Sequence, residues 1–211
     1  MTVDILALLS GKWEDGTRPK DLFTLYVSKA PADYLPTILD GLGASQSKVH
    51  SGCAELTSLI SETEPALLMP HKDLFIGNLN AKQPVVRWEA VCVLGNLAAL
   101  DAGDREFVAY IPVLEDNLTY DGIVLQVHSV RALSKMARAY PDQAAGILDR
   151  LLAVTDYFPG VKLGHLVEVM PYFADDPTLR ARARAFCEGY AHYELPSVAS
   201  KARRALRELG E

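Results

Sequence analysis

Cysteine is scarce in this sequence, and the scarcity is the first constraint on what the chain can be. Its 211 residues include three cysteines, Cys53, Cys92 and Cys187, an odd number, widely spaced and without a CxxC pair. A disulfide framework and a structural zinc site are therefore not expected, and a reducing cytoplasm is the natural compartment. Long apolar runs are missing too: no stretch of about 18 uninterrupted apolar residues occurs, so an ordinary membrane span and a membrane role are not expected. The opening Met1-Thr2-Val3-Asp4 has neither a basic segment nor a following apolar one, which reads against a secretory leader. Basic residues are not in excess. The net charge of −6 would repel a phosphate backbone, so nucleic acid is not the expected partner. Serine nucleophile elbows, P-loops and Rossmann glycine patterns are absent as well. No catalytic residue, metal ligand or cofactor is assigned from the sequence. Nor does any segment show the period-2 alternation of a sheet, and the expected class is all-α.

What is present is a repeat. In Pro84 to Leu97 the apolar residues Val86, Ala90, Val93, Leu94 and Leu97 recur with the spacing of one helix face. Leu125 to Leu133 repeats the register, and Val198 to Leu206 repeats it again. Val49 to Leu56 and Leu163 to Met170 fit more loosely. Anchored on Leu56, Leu94, Leu133, Met170 and Leu206, the spacings are 38, 39, 37 and 36 residues. That period suits a unit of two helices stacked on its neighbours. The position of Ala90 is small in Gly52, Ser129 and Ala202, which lets helices approach closely, and Leu166 departs from the rule. The preceding helices carry a matching pair, Tyr34-Leu35-Pro36 and Tyr110-Ile111-Pro112, each predicting a helix kinked by its proline, with Pro70 one turn out of register. Asp176-Pro177 predicts a helix start.

These residues carry a resemblance. Pro84 to Leu97 looks like the second helix of a HEAT repeat, with a Val-Arg pair followed by Ala and then Val-Leu-Gly-x-Leu, and the proline-kinked first helices resemble that family too. The likeness is weakest at the first and fourth repeats, where Val49 and Leu163 replace the arginine. The chain is similar to small bacterial HEAT-like proteins without an assigned activity. The resemblance implies a right-handed α-α superhelix of the HEAT or armadillo kind: a single domain over 1–211, with an N-terminal helical pair at 1–30 and five helix pairs over 31–209. It implies a way of binding rather than a chemistry.

In such stacks the second helices line the concave side, and 100° per residue selects the residues facing it. The groove is expected to comprise Trp88, Glu89 and Asn96, then His128, Arg131 and Lys135, then His165, Glu168 and Tyr172, then Lys201 and Arg204. Cys92, Val127, Gly164, Ser200 and Glu208 share these columns, and His50, Ser51, Ala54 and Ser58 are expected to form a small polar N-terminal end. Arg131, Glu168 and Arg204 alternate in sign along one column. That pattern suits a ladder of inter-repeat salt bridges or charges presented to a partner. Trp88 fits either groove exposure or burial against a neighbouring repeat, and Trp13 is expected in a loop folded back over the first helix.

His128, His165 and Glu168 imitate a two-histidine, one-carboxylate metal site, but no tandem His-Glu motif accompanies them. The expected function is a non-catalytic scaffold or adaptor holding a protein or peptide partner in the groove, leaning away from an enzyme and setting no oligomeric state. The alternative is a HEAT-like DNA-binding or DNA glycosylase-type protein, which would need a basic groove with aromatic and carboxylate groups.

Overall fold

Helix placement follows the prolines. The computed structural model describes residues 3–210; Met1 and Thr2, where the reading against a leader begins, lie outside the described residues, as does Glu211. The described residues form helices and turns and no strand. Among the described residues seven helices begin on a proline, at Pro19, Pro31, Pro65, Pro84, Pro141, Pro177 and Pro196. The first turn of a helix leaves its N–H groups unpaired, so a residue without one loses nothing there, and its fixed φ is already helical. The chain divides into two compact units between Leu100 and Asp101.

The first unit contains α1 (Ile5–Ser10), α2 (Pro19–Leu25), α3 (Pro31–Gly41), α4 (Ser47–Thr63), α5 (Pro65–Leu68), α6 (Lys72–Asn78) and α7 (Pro84–Leu97). Helix α4 is its centre, packed against α1, α2, α3, α5 and α7. Leu9, Ile38, Cys53, Leu56, Ile60, Leu68 and Leu94 are excluded from solvent in its core. Gly52 is required by a close approach: a Cβ there would stand 2.5 Å from Cδ2 of Leu9. The Asp4 carboxylate caps α1 by accepting from Ala7 N at 3.0 Å. Trp13 does fold back, its Nε1 donating to Leu9 O at 3.0 Å.

The second unit contains α8 (Ile111–Asn117), α9 (Ile123–Ala139), α10 (Pro141–Ala153), α11 (Leu163–Val169), α12 (Pro177–Tyr190) and α13 (Pro196–Glu208). Helix α9 packs on α8, α10 and α11, and α11 in turn on α13. Leu133, Met136, Tyr140, Leu148, Leu166, Met170 and Cys187 are solvent-free. Asp176 caps α12 as expected, accepting from Thr178 N at 2.7 Å and Leu179 N at 2.9 Å. Leu206, the last of the five anchors, is only half-buried.

The two Tyr-aliphatic-Pro segments differ in outcome. Helix α3 runs through Pro36, whereas at the second segment a 3-10 turn, Glu106–Tyr110, ends and α8 begins at Ile111, leaving Pro112 in its first turn. Pro70 falls in the 3-10 turn Met69–His71 between α5 and α6. Splitting the helix before the proline removes the lost hydrogen bond that a kink would carry.

One buried knot organises the start of the second unit. Asp101, fully buried, accepts from Tyr140 Oη at 2.6 Å, from Phe107 N at 2.8 Å and from Glu106 N at 3.2 Å. Arg105, in the left-handed region at φ 60°, places its guanidinium 5.7 Å from the centre of the Tyr140 ring and pairs with Asp142 at 2.7 Å. These bonds tie the loop before α8 to the junction of α9 and α10.

Candidate functional site

The residues expected to share a groove fall on two faces, one in each unit. In the first unit α7 packs across α4, and the core arc Val86, Ala90, Val93, Leu94 and Leu97 is buried as the helical register requires. Trp88, Glu89, Cys92 and Asn96 lie on the opposite arc and are half-buried. Each of the three polar ones is engaged locally. Trp88 Nε1 donates to Glu89 Oε1 at 3.1 Å, and Asn96 Nδ2 donates to Ser61 Oγ at 2.6 Å. The Glu89 carboxyl is pushed up to about 7, chiefly by burial, with hydrogen bonds from Ser58 and Trp88 opposing and the like charges of Glu55 and Glu62 adding to the rise.

The small polar end expected in the first repeat is not an open surface. Ser51, Ala54 and Ser58 are buried, and His50 is half-buried. The cause is that α7 lies over them and hydrogen-bonds the serines: Gln83, capping α7, donates from Nε2 to Ser51 Oγ and to Ser47 Oγ at 2.9 Å, and Ser58 donates to the Glu89 carboxylate. Val127, in the corresponding column of α9, is buried as well.

In the second unit five of the predicted residues, Arg131, His165, Glu168, Lys201 and Arg204, come together. Glu168 on α11 lies between cations of α9 and α13: Arg204 Nη2 is 2.6 Å from Oε1, Lys201 Nζ is 2.9 Å from Oε2, and Arg131 Nη2 is 3.9 Å from Oε2. His165 Nδ1 stands 4.0 Å from the same Oε2. Burial raises the Glu168 carboxyl, but the Lys201 and Arg204 hydrogen bonds outweigh it and hold the group below its ordinary value. The His128 imidazole is driven down to about 4, first by burial and then by Arg131, His165 and Lys135. His165 is lowered in the same way, by burial and then by Lys201 and Arg131, with Glu168 opposing. Both imidazoles are thus neutral near pH 7 and sit in a positive field. Tyr172 belongs to the 3-10 turn Met170–Phe173 and lines a small cleft with Ala137, Arg138 and Asp175.

Along the expected column Arg131, Glu168, Arg204 the Arg204 rung is a hydrogen-bonded ion pair at 2.6 Å and the Arg131 rung a looser one at 3.9 Å. The partners are separated in sequence by roughly the repeat length, and the same separation recurs elsewhere. Gln83 to Ser47 spans 36 residues, Asn96 to Ser61 spans 35, and Lys162 to Gln126 spans 36. Sequence reasoning missed Ser58, Ser61, Glu55 and Glu62 as the surroundings of Glu89. It also missed the Asp101–Tyr140 bond, for which only the 39-residue separation gave a signal. Among the described residues no group of three His, Cys, Asp or Glu side chains could hold a metal ion. The cysteines form no disulfide there: Cys53 and Cys187 are buried, and burial pushes both thiols up to about 12, away from nucleophilic use.

Solved structures share this architecture. An engineered protein is 18% identical, with a TM-score of 0.67, covering 99% of each chain. A designed armadillo repeat protein is 16% identical, with a TM-score of 0.66, covering 97% of this chain and 98% of its own. Another designed armadillo repeat protein, in complex with a (KR)4 peptide, is 14% identical with a TM-score of 0.66, covering 98% of this chain and all of its own. Neither a protein-family model nor a curated protein sequence matches the chain. The fold is that of an armadillo or HEAT-type α-solenoid.

Proposed function

We propose that this protein is a non-catalytic scaffold or adaptor that binds a peptide segment of a partner protein on the groove side of its second helices, in a reducing cytoplasm. The observation that carries the reading is the face of α9, α11 and α13. Its polar side chains Arg131, His165, Glu168, Lys201 and Arg204 converge on one surface and remain partly open to solvent, whereas the apolar arc of the same helices is closed. A designed armadillo repeat protein of the same fold is in complex with a (KR)4 peptide, which supports a peptide as the ligand. The face of α7, with Trp88, Glu89 and Asn96, is a second contact region. Tryptophan offers a large rigid surface at low entropic cost there, although its N–H is already engaged.

No helix among the described residues is long and apolar enough to cross a membrane. The test is selection of displayed extended peptides on the purified chain, followed by titration against Trp88→Ala and Arg131→Glu variants. A selected peptide is expected to lose affinity with at least one of them. A peptide that binds both variants as it binds the wild type would sink the assignment of these faces, and a selection that retains no peptide sinks the function.

A further inference from the structure

The charge pattern on the second unit's face specifies what kind of segment it would hold, an inference that rests on the peptide-binding reading and narrows it. Four cations, Arg131, Lys135, Lys201 and Arg204, share the face with two carboxylates, Glu168 and Glu208; the latter stands 3.8 Å from Arg204. Glu168 commits one oxygen to Arg204 at 2.6 Å and the other to Lys201 at 2.9 Å. Arg131 is left 3.9 Å away, beyond hydrogen-bond reach, with 48% of its side chain exposed. Its planar fork presents donors in the geometry that a carboxylate accepts two at a time.

We propose that Arg131 receives the carboxylate of an aspartate or glutamate in an extended acidic segment of a partner protein, beside the Lys201 and Arg204 cations that Glu168 holds in place. Glu168 then acts as a positioning residue: it hydrogen-bonds two cations, while the third, Arg131, stands 3.9 Å from it and keeps its donors for the ligand. A nucleic acid fits less well. Its continuous phosphate run would pass Glu168 and Glu208, on a chain whose net charge is −6. Spaced acidic side chains avoid those two repulsive points.

The test is fluorescence anisotropy on the full chain at low and physiological salt. The probes are a labelled peptide of alternating glutamate and serine, its lysine and glutamine counterparts, and a DNA duplex. The glutamate peptide is expected to bind about tenfold or more tighter than the glutamine one. Arg131→Glu removes that preference, and Arg131→Lys, which keeps the charge without the fork, restores only part of it. Thermal melts of both variants confirm that they fold, and Arg131→Ala serves if the charge reversal does not. Glutamate-peptide binding that is unchanged in these variants, or a preference for the lysine peptide, overturns the acidic assignment while peptide binding itself stands. Failure of all three peptides removes the underlying function as well. Duplex binding tighter than glutamate-peptide binding, and lost in Arg131→Glu, overturns the proposal in favour of a phosphate ligand.

Discussion

The stem of Lys201 lies over Gly164: a Cβ at residue 164 would stand 3.0 Å from the lysine Cδ. This contact lets the ammonium of α13 reach across α11 to Glu168. It also explains why a glycine occupies the second position of α11, where helix propensity alone would prefer alanine. Gly164→Ala is expected to displace Lys201 and weaken its bond to Glu168. The depressed pKa of a carboxylate means that its stabilisation is present above the unfolded-state value and lost as pH falls through the folded one. In the variant the Glu168 carboxyl should titrate closer to its ordinary value. A side-chain NMR titration of Glu168 in both proteins checks this, and an unchanged value would show that Lys201 reaches it by another path.

Glu89 has the opposite sign. Its carboxyl is raised to about 7, so the stabilisation of its neutral form is present below the unfolded pKa and lost as pH rises through 7. A shift of that size corresponds to about 3 kcal/mol at most. Glu89→Gln keeps an acceptor for Ser58 and Trp88 and removes the charge. Melting curves should show the variant gaining on the wild type between pH 5 and pH 8, by several degrees at the alkaline end. A constant difference across that range would contradict the burial of this carboxylate.

Much of this organisation was legible because a repeat writes its period twice, once in the sequence and once in its contacts. The anchors Leu56, Leu94, Leu133 and Met170 are all solvent-free, and the ladder Arg131, Glu168, Arg204 joins residues one period apart. Helical spacing also placed Glu89 and Asn96 opposite the core arc. It did not reveal what packs against that opposite face. Ser51, Ala54 and Ser58 occupy groove columns, yet α7 covers them, because small side chains on α4 admit a close neighbour and supply its hydrogen-bond partners. The Asp101 knot was invisible for a different reason. It depends on Arg105 in a left-handed conformation, which no periodic pattern marks.

His128 and His165 give the second unit an acid-sensitive side. The His128 imidazole is held at about 4, so the folded state stays neutral while the unfolded chain takes up a proton below about 6.5. Stability from this group is intact above the unfolded value and declines as pH falls toward 4, by about 3 kcal/mol in total. His128→Gln cannot be protonated and should flatten the loss between pH 6.5 and pH 4.5. Chemical denaturation at several pH values measures it, and a slope identical to the wild type would mean that another group carries the acid sensitivity.

Tyr140→Phe isolates the knot at the head of the second unit. The tyrosine hydroxyl donates to buried Asp101 at 2.6 Å, and both burial and that bond push the phenol well above its ordinary pKa. Removing the hydroxyl leaves Asp101 with its Phe107 and Glu106 amide donors but one charge-assisted bond short, in a place water does not reach. Loss of such a bond costs about 2 kcal/mol. The variant should melt several degrees lower with an unaltered helical spectrum, and because Arg131 and Glu168 are untouched, any peptide affinity of that face should persist below the melt. Amide exchange supplies the local check: Phe107 N–H should exchange faster than in the wild type, while amides of α13 keep their protection, since the broken bond anchors the loop before α8.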